Sequence, residues 1–262
     1  MRDLEGRTAL VSGSTTGLGY GVANALAARG ARVVIHGLAP AREGEAMAAA
    51  LSRDHGVESW HSGADLADQA ATEALCDQVL GRFGRCDIVV NNAVIRHFKP
   101  VEEFLPEEWN RALSVNLSSA FHFARAFVPG MKAQGWGRII NMSSIYGQRG
   151  AESRIDYVTT KTALLGMTRA LAIELARTGI TCNAVAPGTV PTEAITARIA
   201  GLAQAAGQSE AEAEADYLVG RNPTRRFVEI GNVAALIGFL CSDAGQDITG
   251  ATLPIDGGWS AL

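Results

Sequence analysis

Short runs of β-branched and apolar residues alternate along the chain with longer stretches in which apolar residues recur at helical spacing. The runs that predict strands are 8–12, 32–35, 88–91, 138–142, 180–185 and 251–255. The stretches that predict helices are 18–28, 45–51, 70–83, 109–128, 158–176 and 233–240. Such alternation is typical of a parallel sheet that is covered by helices on both faces. We therefore predict an α/β fold with a doubly wound parallel sheet.

One segment departs from this alternation. Residues 195–218 are polar, rich in Ala and Glu, and follow the predicted strand 180–185. We interpret 190–222 as a small helical lid, although a solvated surface hairpin would have the same composition. Doubly wound sheets of about this length often form one domain, so we expect a single domain over residues 1–262.

The composition narrows the class of protein further. Apolar residues make up 47% and charged residues 19%, which is typical of a globular core and excludes a disordered chain. The net charge of −4 and the lack of a basic run disfavour nucleic acid and anionic membranes as partners. No apolar run reaches membrane-spanning length and the first residues do not resemble a signal peptide, so we expect a cytoplasmic protein with a small-molecule substrate. The four cysteines lack metal-ligand spacing, and we expect no metal site.

A glycine-rich turn follows the first predicted strand and opens the first predicted helix. Without Cβ atoms, its backbone N–H groups and the helix N-terminus can approach a pyrophosphate. Glycines are also common in ordinary loops, so the motif alone is weak evidence. Its position between a strand and a helix is what favours a nucleotide site. The residues expected to contact the nucleotide are Gly13, Thr15, Thr16, Gly17, Leu18 and Gly19.

Tyr157 and Lys161 are four residues apart in a predicted helix, so their side chains share one face. A free phenol has a pKa of about 10, and a shift of a few units is needed before it can serve as a base near pH 7. A unit charge at about 4 Å, with an effective dielectric near 20, contributes roughly 4 kcal/mol, comparable to about three pKa units. Lys161 can therefore activate Tyr157, although each residue alone could be an ordinary half-buried aromatic or solvated lysine.

Several motifs occur in the order that is found in the short-chain dehydrogenase/reductase family, which the chain resembles over nearly its whole length. The turn has three residues between its first two glycines, Ser144 lies thirteen residues before Tyr157, and Asn116 lies in a Ser-Val-Asn-Leu segment. The resemblance implies a single-domain Rossmann fold and hydride transfer between a nicotinamide and a secondary alcohol or ketone. It also implies the catalytic set Asn116, Ser144, Tyr157 and Lys161. In that set Tyr157 moves the proton, Ser144 holds the reacting oxygen, and Asn116 breaks a helical bond and anchors a water that leads to Lys161.

The resemblance assigns further cofactor contacts. Asp65 and Leu66 would end the third strand beside the adenine, and Asn92 and Ala93 would lie against the adenosine half. The remaining contacts that it implies are Pro187, Gly188, Val190 and Thr192 over the nicotinamide, together with Tyr157 and Lys161. The glycine that the family has after Asn-Asn-Ala is Val94 here, and its Cβ narrows the space near the cofactor.

The choice between NAD and NADP depends on the end of the second strand, where an acidic residue would accept the ribose 2′-hydroxyl and repel a 2′-phosphate. The chain has His36, Gly37 and Leu38 there, and Arg42 is the only nearby cation. The residues themselves leave both cofactors open. Within the family, several stretches of the chain resemble the bacterial D-3-hydroxybutyrate dehydrogenases, which also lack this acid, so the resemblance favours NAD without excluding NADP.

The substrate residues are also implied by the resemblance to those enzymes. The corresponding positions here, with the catalytic serine, are Arg96, Ser144, Tyr146, Arg154, Arg198 and Trp259. Surface exposure is the ordinary explanation for a single arginine, but three together favour an anionic substrate. We expect an NAD-dependent dehydrogenase of a small 3-hydroxy acid or a related anion. The alternatives are an NADPH-dependent reductase of another carbonyl, such as a 3-oxoacyl thioester or a sugar, and a nucleotide-binding regulatory protein, which the complete catalytic set disfavours.

The family commonly forms homotetramers in which the helices that carry Asn116 and Tyr157 pack against symmetry mates and the C-terminal strand closes the tetramer. We therefore expect a homotetramer and apolar side chains on faces that one chain cannot bury. The candidates for such a face are Leu164, Leu165, Met167 and Leu171.

Overall fold

The computed structural model describes residues 2–262, apart from the side chain of residue 194. Its sheet has seven parallel strands in the order β3-β2-β1-β4-β5-β6-β7. The strands are β1 (Thr8–Val11), β2 (Arg32–His36), β3 (Ser59–Ser62), β4 (Ile88–Asn91), β5 (Gly137–Met142), β6 (Ile180–Pro187) and β7 (Thr252–Ile255). This order is that of a doubly wound Rossmann sheet, which confirms the predicted fold class.

Helices cover both faces of this sheet. Those in the described residues are α1 (Gly17–Ala28), α2 (Ala41–His55), α3 (Gln69–Phe83), α4 (Pro106–Leu113), α5 (Ser119–Gln134), α6 (Ile155–Leu175), α7 (Glu193–Ala206), α8 (Glu210–Leu218) and α9 (Ile230–Cys241). Successive strand residues point to opposite faces. In β1, Ala9 and Val11 join a core with α1, α2 and α9, whereas Leu10 joins a core with α3, α5 and α6.

The structure differs from the predicted elements at two places that bear on the site. The helix predicted over 109–128 is divided between α4 and α5 by a π-helical turn at Ser114–Ser118. The strand β3 has the sequence Ser-Trp-His-Ser and pairs with β2; it ends at Ser62, so Asp65 and Leu66 lie in the loop after it and do not end the strand as expected.

The segment interpreted as a lid contains the helices α7 and α8. These helices pack on each other through a small apolar core of Ile199, Ala203, Ala213 and Tyr217. They follow β6, so they lie beyond the carboxyl end of the sheet, where ligands of doubly wound sheets bind. Two packed helices therefore occupy the region that the sequence predicted to be helical.

The predicted assembly face needs correction. Leu164 and Leu165 are buried within this one chain, at 1% and 6% exposure, and so offer no surface to a partner. The exposed large apolar side chains on the same pair of helices are Phe121 in α5 and Ile155 and Ile173 in α6.

Two features of the described residues limit the kinds of site that they can form. None of the helices in residues 2–262 is long and apolar enough to cross a membrane. The same part of the chain contains no group of three or more His, Cys, Asp or Glu side chains that could hold a metal ion. All four cysteines are buried thiols.

Candidate active site

A single continuous cavity of about 610 Å³ lies at the carboxyl ends of the strands. It begins at the glycine-rich turn after β1 and extends past the end of β5 to the end of α8. β1 lies between β2 and β4, so the chain order reverses here, and such a switch point leaves a crevice outside the sheet. Every residue predicted to contact the cofactor lines this cavity.

The glycine-rich turn is shaped so that a backbone can approach it closely. Gly13 has φ +61°, and a Cβ there would lie 2.8 Å from the Cα of Ala93. A Cβ on Gly19 would overlap the carbonyl group of Gly13. Gly17, with φ +52°, begins α1, whose first N–H groups have no partner within the helix. These groups form a cradle for an anion such as a pyrophosphate.

Asn92 holds this turn in place. Its amide Nδ2 donates hydrogen bonds to the carbonyl oxygens of Ser12 at 2.9 Å and Gly13 at 2.8 Å. In return the Ser12 hydroxyl oxygen accepts the backbone N–H groups of Asn92 and Ala93. The side chain of Asn92 therefore acts on a bound nucleotide through the backbone of the turn. Val94, the departure from the family motif, lines the cavity two residues further on.

His36, at the end of β2, also supports the turn. Its Nε2 lies 2.8 Å from the carbonyl oxygen of Ala64, which can only accept, so Nε2 carries the hydrogen. Its Nδ1 is then free to accept the N–H of Gly13 at 3.2 Å. Burial lowers the pKa of His36, which keeps the ring neutral in this arrangement. Sequence reasoning treated His36 only as the residue in place of an acid and missed this contact.

The adenine end of the cavity carries an ion pair. Arg111 Nη2 lies 3.0 Å from Asp65 Oδ2. The backbone N–H of Ala67 and then Arg111 lower the pKa of Asp65, so its carboxylate is ionised. Arg111 lines the cavity together with Leu66, a contact that no motif indicated.

The loop after β6 forms another wall of the cofactor cavity. Among the described residues, the buried hydroxyl oxygen of Thr192 has no hydrogen-bond partner, and it lies in a loop that lines the cavity. A Cβ on Gly188 would lie 2.8 Å from the Cα of Asp256, so only glycine fits there. A Cβ on Gly17 would lie 3.8 Å from Cγ2 of Thr192, so this unpaired hydroxyl lies next to the N–H cradle, and together they fit a dinucleotide. When bound there, a nicotinamide dinucleotide supplies the hydride donor or acceptor.

Tyr157 and Lys161 face the cavity from the first turns of α6. The ammonium nitrogen of Lys161 is 5.6 Å from the centre of the Tyr157 ring and donates to the carbonyl oxygen of Met142 at 2.6 Å. Burial, and then the charge of Arg96, lower the pKa of Lys161 to about 7. The lysine is therefore desolvated beside the phenol, where its charge acts most strongly.

The two serines after β5 have different contacts. The hydroxyl of Ser143 donates to the carbonyl oxygen of Lys161 at 2.9 Å, which ties β5 to α6. The hydroxyl oxygen of Ser144 accepts the N–H of Tyr146 at 3.3 Å and lines the cavity with Tyr157. Its hydrogen remains able to donate to a substrate oxygen.

Asn116 lies in the π-helical turn between α4 and α5 and does not line the cavity. Its Oδ1 accepts the N–H of Ile95 at 2.8 Å, and its Nδ2 donates to the carbonyl oxygen of Ile95 and to the Thr160 hydroxyl. Asn116 thus connects the loop after β4 to α6. The break in the helix was expected here, since a π-helical turn replaces regular bonds.

The substrate end of the cavity is aromatic and cationic. Tyr146 packs edge-on against Trp259 at 5.5 Å and against Tyr157 at 6.3 Å between ring centres. The Arg154 guanidinium lies 5.1 Å from the centre of the Tyr146 ring. Arg96 lines the same end. Four of the predicted substrate residues therefore meet around Tyr157.

The predicted contact at Arg198 lies elsewhere. Its guanidinium is 5.2 Å from the centre of the Phe98 ring, whereas Arg154 is 4.1 Å from the same ring. Arg198 does not line the cavity, but Phe98 does. Sequence reasoning also missed Tyr217 and Arg221, which line the cavity and stack on each other at 4.1 Å. No motif indicates these two side chains, because only the folding of the helical segment brings them to the cavity.

The arrangement can move a proton and hold an anion. The phenol of Tyr157 and the hydroxyl of Ser144 face the same space, so both can contact the oxygen of an alcohol or ketone. The Lys161 ammonium favours the phenolate of Tyr157 electrostatically. In the oxidation of an alcohol, Tyr157 takes the proton of the hydroxyl group and leaves electron density on its oxygen. In the reduction of a ketone, the phenol of Tyr157 gives a proton to the same oxygen.

Comparisons with known proteins agree with this geometry. The family described as enoyl-(acyl carrier protein) reductase matches residues 13–260. A D-beta-hydroxybutyrate dehydrogenase of Cupriavidus necator is 39% identical over 258 residues, which are 98% of this chain and 99% of that protein.

Two solved structures share the fold along the whole chain. L-sorbose reductase from Gluconobacter frateurii, complexed with NADPH and L-sorbose, has a TM-score of 0.94 at 27% identity and 99% coverage of both chains. A gluconate 5-dehydrogenase from Burkholderia cenocepacia, in complex with NADP and tartrate, has a TM-score of 0.85 at 33% identity and covers 100% of this chain and 98% of its own. The chain therefore belongs to the short-chain dehydrogenase/reductase family of NAD(P)-dependent oxidoreductases, which transfer a hydride between a nicotinamide and an alcohol or ketone.

Proposed function

We propose that this enzyme is an NAD-dependent dehydrogenase of a small 3-hydroxy acid or a closely related anion. The observation that carries the proposal is the pair of arginines, Arg96 and Arg154, which line the cavity beside Tyr157. The similarity to a D-beta-hydroxybutyrate dehydrogenase supports the same substrate class.

These two arginines call for an anionic partner. Among the described residues neither forms an ion pair with a carboxylate. Burial, and also the charge of Arg96, lower the pKa of Arg154, which reflects the cost of holding two cations close together. A carboxylate between them would relieve that cost and form charge-assisted hydrogen bonds worth about 1.5 to 3 kcal/mol each.

The proposed roles follow from the positions. The carboxylate of the substrate binds Arg96 and Arg154, and its hydroxyl meets Ser144 and Tyr157. Tyr146 and Trp259 form the wall along the carbon chain. The lid, residues 190–222, covers this end of the cavity, and Tyr217 and Arg221 from it face the substrate. Arg198 acts at the rim through Phe98, where it helps to hold the lid.

We infer a preference for NAD from the end of β2. Leu38 and Gly37 line the adenosine end and carry no charge that would attract a 2′-phosphate. Two similar enzymes have structures with NADPH or NADP, so NADP remains the alternative cofactor. The homotetramer and the cytoplasmic location are part of the same proposal and rest on the family and on the composition.

A neutral carbonyl substrate is the second candidate. The overall likeness to L-sorbose reductase, with a TM-score of 0.94, favours a sugar reductase that uses NADPH. A 3-oxoacyl thioester belongs to the same alternative. In either case the arginines would contact solvent or a remote phosphate, and their desolvation beside Tyr157 would have no function.

A substrate panel with both cofactors tests the proposal. Purified enzyme is assayed by nicotinamide absorbance with D- and L-3-hydroxybutyrate, longer 3-hydroxy acids, their methyl esters, sugar alcohols and an oxoacyl thioester. The proposal expects kcat/KM for a free acid to exceed that of its methyl ester by tenfold or more, with NAD preferred to NADP. Turnover of esters or sugars at rates equal to or above those of the acids would favour the neutral-carbonyl alternative.

A further inference from the structure

Two short segments interlock at the substrate end of the cavity. Residues 96–99 follow β4, and residues 153–156 lead into the first turn of α6. Each segment contributes one arginine to the cavity, Arg96 from the first and Arg154 from the second. The distance between the two cations therefore depends on what holds the segments together.

A buried carboxylate joins them. The side chain of Asp156 is fully buried, and its Oδ2 accepts Nδ1–H of His97 at 2.8 Å and the backbone N–H of His97 at 3.1 Å. The other oxygen, Oδ1, accepts the backbone N–H of Tyr157 at 2.6 Å. One carboxylate thus contacts the neighbour of Arg96 on one side and the proton-transferring residue on the other.

Two further contacts align the segments. The backbone N–H of Lys99 donates to the carbonyl oxygen of Ser153 at 3.1 Å. Ser153 has φ +57°, a left-handed conformation that costs energy in a residue other than glycine. The Phe98 ring stacks on the Arg154 guanidinium at 4.1 Å. The surroundings therefore impose a defined geometry on a strained turn immediately before the catalytic helix.

We propose that the His97–Asp156 pair is a positioning device, which fixes Arg96 and Tyr157 relative to each other and so sets where the acid group of the substrate binds with respect to the reacting hydroxyl. His97 and Asp156 are positioning residues, since neither contacts the substrate. The part of this inference that concerns the acid group rests on the proposed function, whereas the part that concerns Tyr157 does not.

A purely local role for Asp156 would not explain these contacts. A carboxylate in the first turn of a helix is stabilised by the free N–H groups and the helix dipole, and needs no partner from another segment. Asp156 instead places one of its oxygens entirely on His97, 59 residues away in sequence. An ion pair on the same segment, Lys99 with Glu108 at 2.6 Å, is partly exposed, and neither side chain lines the cavity. It provides the matched comparison.

The test uses four variants of the full-length enzyme with saturating cofactor. His97→Ala removes the donor, His97→Asn retains a donor near the position of Nδ1, Asp156→Ala removes both acceptors, and Lys99→Ala is the control. We expect His97→Ala to raise KM for the acid at least fivefold with kcat within twofold, and His97→Asn to restore at least half of that loss. Asp156→Ala should raise KM similarly and also lower kcat at least tenfold, because the Tyr157 N–H loses its acceptor. Lys99→Ala should change neither parameter by more than twofold.

A double variant separates positioning from loss of stability. If His97 and Asp156 act through each other, His97→Ala combined with Asp156→Ala should raise KM no more than the worse single variant. Thermal unfolding and NADH binding of each variant show that it is folded. Unchanged KM in folded His97→Ala, or equal losses in Lys99→Ala and His97→Ala, would overturn the inference.

Failure of the proposed function gives a different pattern. If the wild-type enzyme turns over only neutral carbonyls, the anionic-substrate proposal is wrong, and the device is then tested with that neutral substrate. The expectation for it is a tenfold or larger fall in kcat for Asp156→Ala with little change for His97→Ala. A folded Asp156→Ala enzyme with wild-type kcat would overturn the inference in that case as well.

Discussion

Arg96 and Lys161 face the same cavity, and the positive charge of Arg96 adds to burial in lowering the pKa of Lys161 to about 7. The two groups serve different ends of one substrate in the proposed reaction. Arg96 would bind the carboxylate, and Lys161 supports the phenolate of Tyr157. A bound anion that neutralises Arg96 would raise the pKa of Lys161 again. Substrate binding would thereby keep the lysine charged at the moment when its charge is needed.

The buried lysine makes stability depend on pH. Its pKa is about 7 in the folded chain and 10.5 when unfolded, so the unfolded state binds more protons between these values and stability rises with pH. At pH 7 this costs about 4 kcal/mol. We expect apo Lys161→Met to be more stable than wild type at pH 7 by up to that amount, with little activity. Between pH 7 and 9 the difference should shrink by about 2 kcal/mol in urea unfolding.

An exposed lysine supplies the control for that experiment. Lys132 in α5 lies at the surface, 3.9 Å from Glu174, so Lys132→Met should change stability by less than about 1 kcal/mol at either pH. If Lys161→Met and wild type keep a constant difference from pH 7 to 9, then Lys161 does not titrate in this range.

Substitution of Arg96 and of Arg198 should affect KM differently, because only Arg96 is proposed to bind the substrate. Arg96→Met removes a cation that lines the cavity, so KM for a hydroxy acid should rise roughly tenfold or more while a neutral analogue is little affected. Arg198→Met should change KM for the acid less than threefold, because Arg198 lies outside the cavity beside Phe98. Equal effects of the two substitutions in steady-state kinetics would contradict this assignment.

The fold was predictable because the buried parallel strands are nearly continuous apolar runs. β3 was the exception, since Ser59, Trp60, His61 and Ser62 form no such run and its position depends on pairing with β2. The division of the long helix at Asn116 could be expected from the family motif but not from helical spacing. The Asn116 side chain bonds to Ile95, which lies in another segment, and spacing within one helix contains no information about that contact.

The placement of Tyr157 and Lys161 side by side in the cavity was predictable from a short motif, since both lie on one helix with fixed geometry. The residues at the substrate end of the cavity were less predictable from sequence motifs. Phe98 and Arg221 reach the cavity from a loop and from the lid, and their positions follow from tertiary packing. The pairing of His97 with Asp156 is likewise invisible in a linear pattern, because only folding brings the two segments together.

Removal of the Tyr157 hydroxyl should separate chemistry from binding. Tyr157→Phe should lower kcat by roughly 10²- to 10⁴-fold, because the phenol oxygen carries the proton in the transition state. NADH affinity, measured by fluorescence titration, should stay within about threefold of wild type, since the cradle at Gly13 and Gly19 is unchanged. Near wild-type turnover in this variant would defeat the proposed role of Tyr157.

Assembly should depend on the apolar side chains that one chain leaves exposed. Ile173 is 81% and Phe121 is 54% exposed, and a homotetramer built on α5 and α6 would cover them. We expect wild-type enzyme to sediment as a tetramer at micromolar concentration and Phe121→Asp to sediment as smaller species. Leu202→Asp, at an exposed apolar residue of α7, is the comparison variant. A wild-type monomer would contradict the expectation.

Cofactor preference should be adjustable at Leu38. This side chain is 63% exposed and lines the adenosine end of the cavity, next to the position where an acid would reject a 2′-phosphate. In Leu38→Arg a guanidinium could pair with that phosphate, so the ratio of NADPH to NADH affinity should rise at least tenfold. Leu38→Asp should change the ratio in the opposite direction. Fluorescence titration with both reduced cofactors measures the effect.

The neighbouring glycine provides a structural control for this prediction. A Cβ on Gly37 would overlap the side chain of Thr15 in the glycine-rich turn, so Gly37→Asp must displace the turn that holds the pyrophosphate. We therefore expect Gly37→Asp to weaken NADH and NADPH alike by tenfold or more, whereas Leu38→Asp weakens only NADPH. If Gly37→Asp instead improved the preference for NADH without loss of affinity, the turn would be more adaptable than its close packing against Gly37 indicates. Preference would then be set at position 37 and not at position 38.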